Sequence, residues 1–282
     1  MIELKLCSDF TDTQIFETFE AGFIDYMIKA KMDETMFISR FFGPEGNDRE
    51  LSYIALKDGK PVGITLGGIK TDEPVKTMRC GGMSVIPEER RKGIAKMLMD
   101  KHIQTGKEMG CRQMFLEVIN GNDKAFNFYK KLGYEKIYDL TYRTWHVKEN
   151  PLSVSKDVTT PPVEDVAFED IHALRALDHS HLPWQGCFDY AKHLPCYYYG
   201  IKENDSLVAG MIATANRIVY LWVHPEKRGR GYATALLQRA ISDLDPEVLR
   251  INYANNALAH TFCNHLGMAL EPISQYEMYR LL

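Results

Sequence analysis

Residues 84–98 read SVIPEERRKGIAKML, and residues 222–236 read WVHPEKRGRGYATAL. Each run joins an apolar strand end to Pro-Glu, then to Arg-x-x-Gly-x-Ala, then to a helical pattern. A second pair follows in the same order: NDKAFNFYKKLGY (122–134) matches NALAHTFCNHLGM (256–268). Gly231 lies 138 residues after Gly93, whereas Gly267 lies 134 after Gly133, so four residues are missing between the motifs of the second copy. Two ordered motifs at nearly one offset identify an internal duplication. The 282 residues suit two domains of roughly 140, expected at 1–150 and 151–282. The joint is expected in KENPLSVSKDVTTPPVED, about 148–165, which is rich in Pro, Ser, Thr and charge.

Outward from the loops, the alternation of apolar residues predicts strands at the N-terminus, over LSYIALK and PVGITLGGIK with a hairpin turn at Asp58-Gly59, over Thr77 to Ile86 and over Gln113 to Ile119. An amphipathic stretch from Thr11 to Lys31 and a short segment from Asp123 to Lys131 read as helices. A long strand from Ile137 to Val147 is expected to close the first copy. The second copy repeats the plan with a helix near Glu169 to Asp178, strands at Cys196–Lys202, Leu207–Ala215 and Arg217–Val223, and a last strand at Ile273–Leu281. Ala233, Leu236, Leu237, Ala240, Ile241 and Leu244 form the core-facing stripe of its loop helix. The fold class that follows is α/β (α+β): two tandem domains, each a twisted mixed, largely antiparallel sheet with helices on both faces.

The loop itself favours an anion. Arg90, Arg91, Lys92, Gly93, Ile94, Ala95 and Lys96 lead from a strand into a helix. There the first backbone N–H groups are unbonded and the positive end of the helix dipole is exposed. Gly93 and Ala95 are small enough to let a phosphate oxygen approach the main chain, and the basic side chains add charge-assisted hydrogen bonds. Neither a Walker loop, which needs Gly-Lys-Ser/Thr, nor a GxGxxG dinucleotide fingerprint is present.

VIPEERRKGIA and VHPEKRGRGYA resemble the acyl-CoA-binding motif of the GNAT superfamily of N-acetyltransferases, and NDKAFNFYKKLGY resembles the helix that follows it there. The resemblance covers nearly the whole chain as two such domains. It implies that main-chain groups of Arg90 to Lys96 hold the pyrophosphate of acetyl-CoA, and that Ser84, Val85 and Ile86 pair with the pantetheine arm like an added strand. Leu116-Glu117-Val118 and Tyr129, twelve residues after the glutamate, resemble the ribosomal-protein N-terminal acetyltransferase type. On that likeness Glu117 is the base and Tyr129 the acid. Asn122 matches a polar residue near the CoA arm, although its place before Asp123 also suits a helix cap. The second copy has Ile251 and Cys263 at the corresponding places, so catalysis is expected in the first copy.

Acyl transfer to an amine requires a base, because an alkylamine titrates near 10.4, and a proton for the leaving thiolate. The implied reaction is direct attack of a primary amine, on a small molecule or a peptide, upon acetyl-CoA. Two alternatives stay open: a non-catalytic acyl-CoA-binding regulator, and an enzyme whose active copy is the C-terminal one. The acceptor is expected against Phe16 to Phe42, where Tyr26, Met27, Met32, Met36 and Phe37 offer apolar and aromatic surface.

Composition bounds the partners. A formal net charge of -4 gives no global field for nucleic acid. Six scattered cysteines without a CxxC pair read as reduced thiols of a cytoplasmic protein. MIELKLCSDF is charged where a signal peptide is apolar, and no long apolar run predicts a membrane span. His179-Ser180-His181 lacks companion ligands at metal spacing, so no metal is expected.

Overall fold

A computed structural model describes residues 1–28, 32–70, 75–152, 160–255 and 257–282. The chain divides into two compact units, residues 1–137 with 276–282, and residues 138–275. In chain order the first holds β1 (Ile2–Leu6), α1 (Asp12–Phe23), α2 (Glu34–Phe41), β2 (Asp48–Lys57), β3 (Lys60–Lys70), β4 (Thr77–Val85), α3 (Ile94–Glu108), β5 (Gln113–Ile119) and α4 (Asp123–Lys131). Then β6 (Glu135–His146) leads into the second unit, which continues through β7 (Val163–Asp165), α5 (Phe168–Ala173), α6 (Phe188–Ala191), β8 (Tyr197–Glu203), β9 (Ser206–Thr214), β10 (Arg217–Val223), α7 (Tyr232–Leu244), β11 (Val248–Ala254) and α8 (Ala259–His265). Finally β12 (Ala269–Leu281) starts in the second unit and ends in the first.

In the first unit the strand order is β1-β2-β3-β4-β5 followed by the end of β12; in the second, the start of β12 is followed by β6-β11-β10-β9-β8-β7. The β1–β2, β2–β3, β3–β4, β6–β11, β10–β9, β9–β8 and β8–β7 pairs are antiparallel, whereas β4–β5 and β10–β11 are parallel. Helices cover both faces because the strands alternate. Ile54 and Leu56 of β2 join Ile15 of α1 and Phe37 of α2, while Tyr53 and Ala55 join Ile94 and Leu98 of α3. The Asp58-Gly59 turn forms as expected, both residues having positive φ (52° and 79°), which matches the twist of the paired strands.

Two helices and the two long closing strands depart from the sequence expectation. The helix read through to Lys31 ends at Phe23, and α2 starts anew where Asp33 accepts a hydrogen bond from Met36 N (2.8 Å); residues 29–31 lie outside the described residues. The helix expected to Asp178 ends at Ala173 and continues as a 3-10 turn, Leu174–Ala176. The two long closing strands exchange partners. Residues 138–146 pair antiparallel with β11 of the second unit, and residues 276–282 complete the first. The linker expected at about 148–165 thus falls within the second unit, with 153–159 outside the described residues.

Candidate active site

The turn after β4 is built by backbone conformations that few residues adopt. Arg91 has φ 64° and Gly93, the N-cap of α3, has φ 88°. In the second unit Gly229 (74°) and Gly231 (81°) stand at the matching places. Left-handed residues at this spacing turn successive N–H groups toward one point, which favours an anion. A Cβ on Gly93 or Gly229 would meet no atom within 4 Å, so the space above both turns is open. Ile94 is 1% exposed and turns inward, leaving its main chain to the turn. The Arg90 side chain is engaged within the protein. Its guanidinium grips Asp25 (2.6 and 2.7 Å), Val85 O (2.9 Å) and Gly22 O (3.1 Å), which braces the turn against the end of α1. Arg228 Nε makes the same bond to Val223 O (3.1 Å). Lys92 Nζ lies 3.2 Å from Glu89 and Lys96 Nζ 2.6 Å from Asp100; Arg91 is exposed.

Between β4 and β5 the sheet opens. Their ladder runs from Thr77–Gln113 to Cys80–Leu116 and stops, although β4 stays paired with β3 as far as Val85. Gly81 to Val85 therefore present one backbone edge that β5 does not cover. Ser84 lies on this edge, its Oγ buried without a hydrogen bond. Gly22 makes the close approach of α1 possible, since a Cβ there would stand 2.1 Å from Ser84 Oγ.

Beside the opening, Glu117 of β5 and Tyr129 of α4 lie on different faces of β5. Leu116 and Val118 pack with Tyr129, Cys80 and Tyr134 on one face. Glu117 points to the other, where Arg79 Nη2 lies 3.7 Å from its Oε2 and 2.8 Å from Glu45 Oε2. Glu117 is 10% exposed, and its Oε1 is buried without a hydrogen bond. Burial pushes its carboxyl up to about 7; Arg79 and Lys70 oppose that rise, and Glu277 and Glu45 reinforce it. Burial likewise drives the Tyr129 phenol well above its ordinary value, so it stays protonated, helped by the neighbouring Cys80, Tyr134 and Tyr26. Asn122 caps α4, accepting from Ala125 N (3.2 Å), and is hydrogen-bonded to Tyr26. Arg79, Glu45, Lys70 and Glu277, all within the core, were not singled out by sequence. The one available signal was a charged residue inside an apolar strand, as in Thr77-Met78-Arg79-Cys80.

In the second unit Ile251 and Cys263 are buried, and burial pushes the Cys263 thiol up to about 11, which leaves it a poor nucleophile near neutrality. The β10–β11 ladder is confined to Arg217–Arg250. A cleft of about 1440 Å³ lies there, lined among others by Trp222, Arg228, Gly231, Tyr253 and Asn264. Tyr253 Oη accepts from Arg143 Nε (3.2 Å) and lies 3.3 Å from His260 Nδ1. His181, of the His-Ser-His run, stacks on Tyr138 with ring centroids 4.0 Å apart. Among the described residues no helix is long and apolar enough to cross a membrane.

The sequence profile of the acetyltransferase (GNAT) family matches residues 14–134 and 164–268. Over 96 residues the chain is 29% identical to N-acetyltransferase 8B of Homo sapiens, which covers 33% of this chain and 42% of that protein. It is also 29% identical over 96 residues to aminoglycoside N(6')-acetyltransferase type 1 of Salmonella typhimurium, across 32% of this chain and 65% of that one. Each match thus spans less than two thirds of the relative. A tandem GNAT protein from the clavulanic acid biosynthesis pathway shares the fold, with TM-score 0.65 and 13% identity over 100% of this chain and 98% of that chain.

Proposed function

The chain belongs to the acetyltransferase (GNAT) family, and from that premise we propose that its first unit transfers an acetyl group from acetyl-CoA to a primary amine by direct attack. The acceptor is a small-molecule amine or a peptide. The observation that carries the proposal is the Glu117 carboxyl, whose proton affinity burial lifts to about 7 beside the opening between β4 and β5.

Three features fit acetyl-CoA as the donor. The turn from Arg90 to Lys96 offers main-chain N–H groups to the pyrophosphate, with Gly93 open above. The uncovered edge at Ser84, Val85 and Ile86 can take the pantetheine amides as an extra strand would, and Asn122, at the start of α4, would add a polar group near that arm. Glu117 and Tyr129 lie on opposite faces of β5, so a thioester in the opening would have one on each side.

The step then balances as follows. The neutral amine nitrogen attacks the thioester carbonyl carbon, a C–N bond forms, and the C–S bond breaks. The nitrogen's proton passes to the Glu117 carboxylate, directly or through one water, and the departing sulfur takes the Tyr129 hydroxyl proton. An ordinary glutamate, near 4.3, is a weak base; one near 7 is matched to neutral pH. Burial that raises the phenol keeps Tyr129 in its donor form. CoA release should be screened against polyamines, aminoglycosides, amino acids and peptides. Turnover lost in Glu117→Gln and in Tyr129→Phe supports the assignment; turnover within twofold of wild type in both variants overturns it.

A second reading places acyl-CoA binding, or the active copy itself, in the second unit. The roughly 1440 Å³ cleft beside the Arg228–Ala233 turn favours it, and Tyr253 is its proton donor in that case. A folded Gly231→Val protein without turnover, beside a Gly93→Val protein with normal turnover, would select that reading over the first.

A further inference from the structure

The chain's last strand sets a second carboxylate across from Glu117. Leu282 N donates to Arg112 O (3.0 Å), the ring of Tyr279 lies 5.0 Å from that of Phe115, and Tyr276 Oη donates to Asn120 Oδ1 (2.5 Å). Numbers rise along β5 as they fall along β12, so the two run antiparallel. The register that puts Leu282 beside Arg112 and Tyr279 beside Phe115 puts Glu277 directly opposite Glu117, on the same face. Directly opposed Cβ atoms stand roughly 4.5–5.5 Å apart. Glu277 is 0% exposed.

Like charges directly opposed weaken a strand pair, and two buried carboxyls at this separation cannot both ionise freely. The cost falls on the strand that the second copy lends to the first. We propose that Glu277 is a positioning residue for acyl transfer in the first unit: across the β5–β12 ladder it holds the Glu117 carboxyl ready to take a proton, so that the site is complete only with the chain's C-terminal strand. The inference rests on the reading of Glu117 as the base.

The groups facing Glu117 come from four elements. Arg79 on β4 and Lys70 at the end of β3 favour its charged form; Glu45, in the turn after α2, and Glu277 disfavour it. Glu45 is itself bound by Arg79 through both its carboxylate and its main-chain oxygen (2.8 and 2.7 Å), which occupies much of that cation. Tyr279 Oη donates to Glu277 Oε2 (3.3 Å). Burial raises the Glu117 carboxyl most, and without Glu277 the Arg79 guanidinium would be less opposed, so the carboxyl would move down toward the ordinary, weakly basic range.

The test is a carbon-13 titration of glutamate side-chain carboxyls in the full chain, for wild type, Glu277→Gln and Glu277→Asp. In wild type the Glu277 signal should inflect at the pH where Glu117 titrates; no inflection there overturns the pairing without any variant having to fold. In Glu277→Gln the Glu117 midpoint should fall by about one pH unit or more, a tenfold loss of proton affinity, and Glu277→Asp should restore it. The acidic limb of kcat/KM against pH should move down with the midpoint. A folded Glu277→Gln protein whose Glu117 midpoint stays put overturns the inference. A midpoint that falls while Glu117→Gln turns over like wild type leaves the pair intact but removes the base, and the positioning role with it.

Discussion

Replacing Glu117 by Gln should make the first unit more stable in alkaline solution and leave it unchanged in acid. The carboxyl is 10% exposed and is raised from 4.5 to about 7 in the folded protein. A folded-state value above the unfolded one means the native state binds the proton more tightly. That contribution is whole below about pH 4.5 and is lost as pH rises through about 7. The shift corresponds to about 3 kcal/mol at about 1.36 kcal/mol per pH unit, and Gln, neutral throughout, does not lose it. The variant should therefore gain about 3 kcal/mol over wild type at pH 8.5 and almost nothing at pH 4.5. Urea unfolding at both pH values, read by hydrogen exchange of peptides from β4 and β5, measures the first unit. Trp145, Trp184 and Trp222 all lie in the second unit, so their fluorescence is an internal control that should barely move. An equal gain at both pH values, or none at pH 8.5, would refute the raised carboxyl and weaken its case as a base.

Tyr129→Phe keeps the ring that packs against Tyr134 (centroids 5.9 Å apart), so it should fold and bind acetyl-CoA normally while losing about 10²- to 10⁴-fold in kcat; single-turnover kinetics with a working acceptor checks this. Acetyl-CoA at a hundredfold excess over Kd should stabilise the protein by about 2.7 kcal/mol, seen as a rise in Tm. Gly93→Val should abolish that rise through its strained φ of 88° and its side chain above the turn, whereas Gly231→Val should leave turnover in the first unit largely intact. Arg90→Ala should cost about 1–2 kcal/mol through its lost bonds to Val85 O and Gly22 O, the exposed Asp25 pair adding little. Urea unfolding would measure that cost, and weakened acetyl-CoA binding should accompany it as the turn loosens.

By itself the sequence determined what local backbone chemistry dictates. The duplication, the hairpin at Asp58-Gly59 and the two glycine turns before α3 and α7 follow from residues whose φ or side-chain size admits few alternatives. Gly93 and Gly231 are legible because a left-handed N-cap asks for glycine. The twelve-residue spacing from Glu117 to Tyr129 was likewise legible, since a strand end and the next helix keep their separation wherever the domain is placed. Alternation along a strand tells which residues share a face, but not which strand lies alongside. Both Ile137–Val147 and Ile273–Leu281 read as closing strands, and only the tertiary structure gave each to the other copy. The side-chain partner of Arg90 was not legible in the sequence either, because Asp25 is 65 residues away. The proton affinity of Glu117 is set by burial and by Arg79, Lys70, Glu45 and Glu277, four charges on separate segments that meet only when the sheet forms. Electrostatic energy depends on distance and on exclusion of water, and neither exists until the chain has folded.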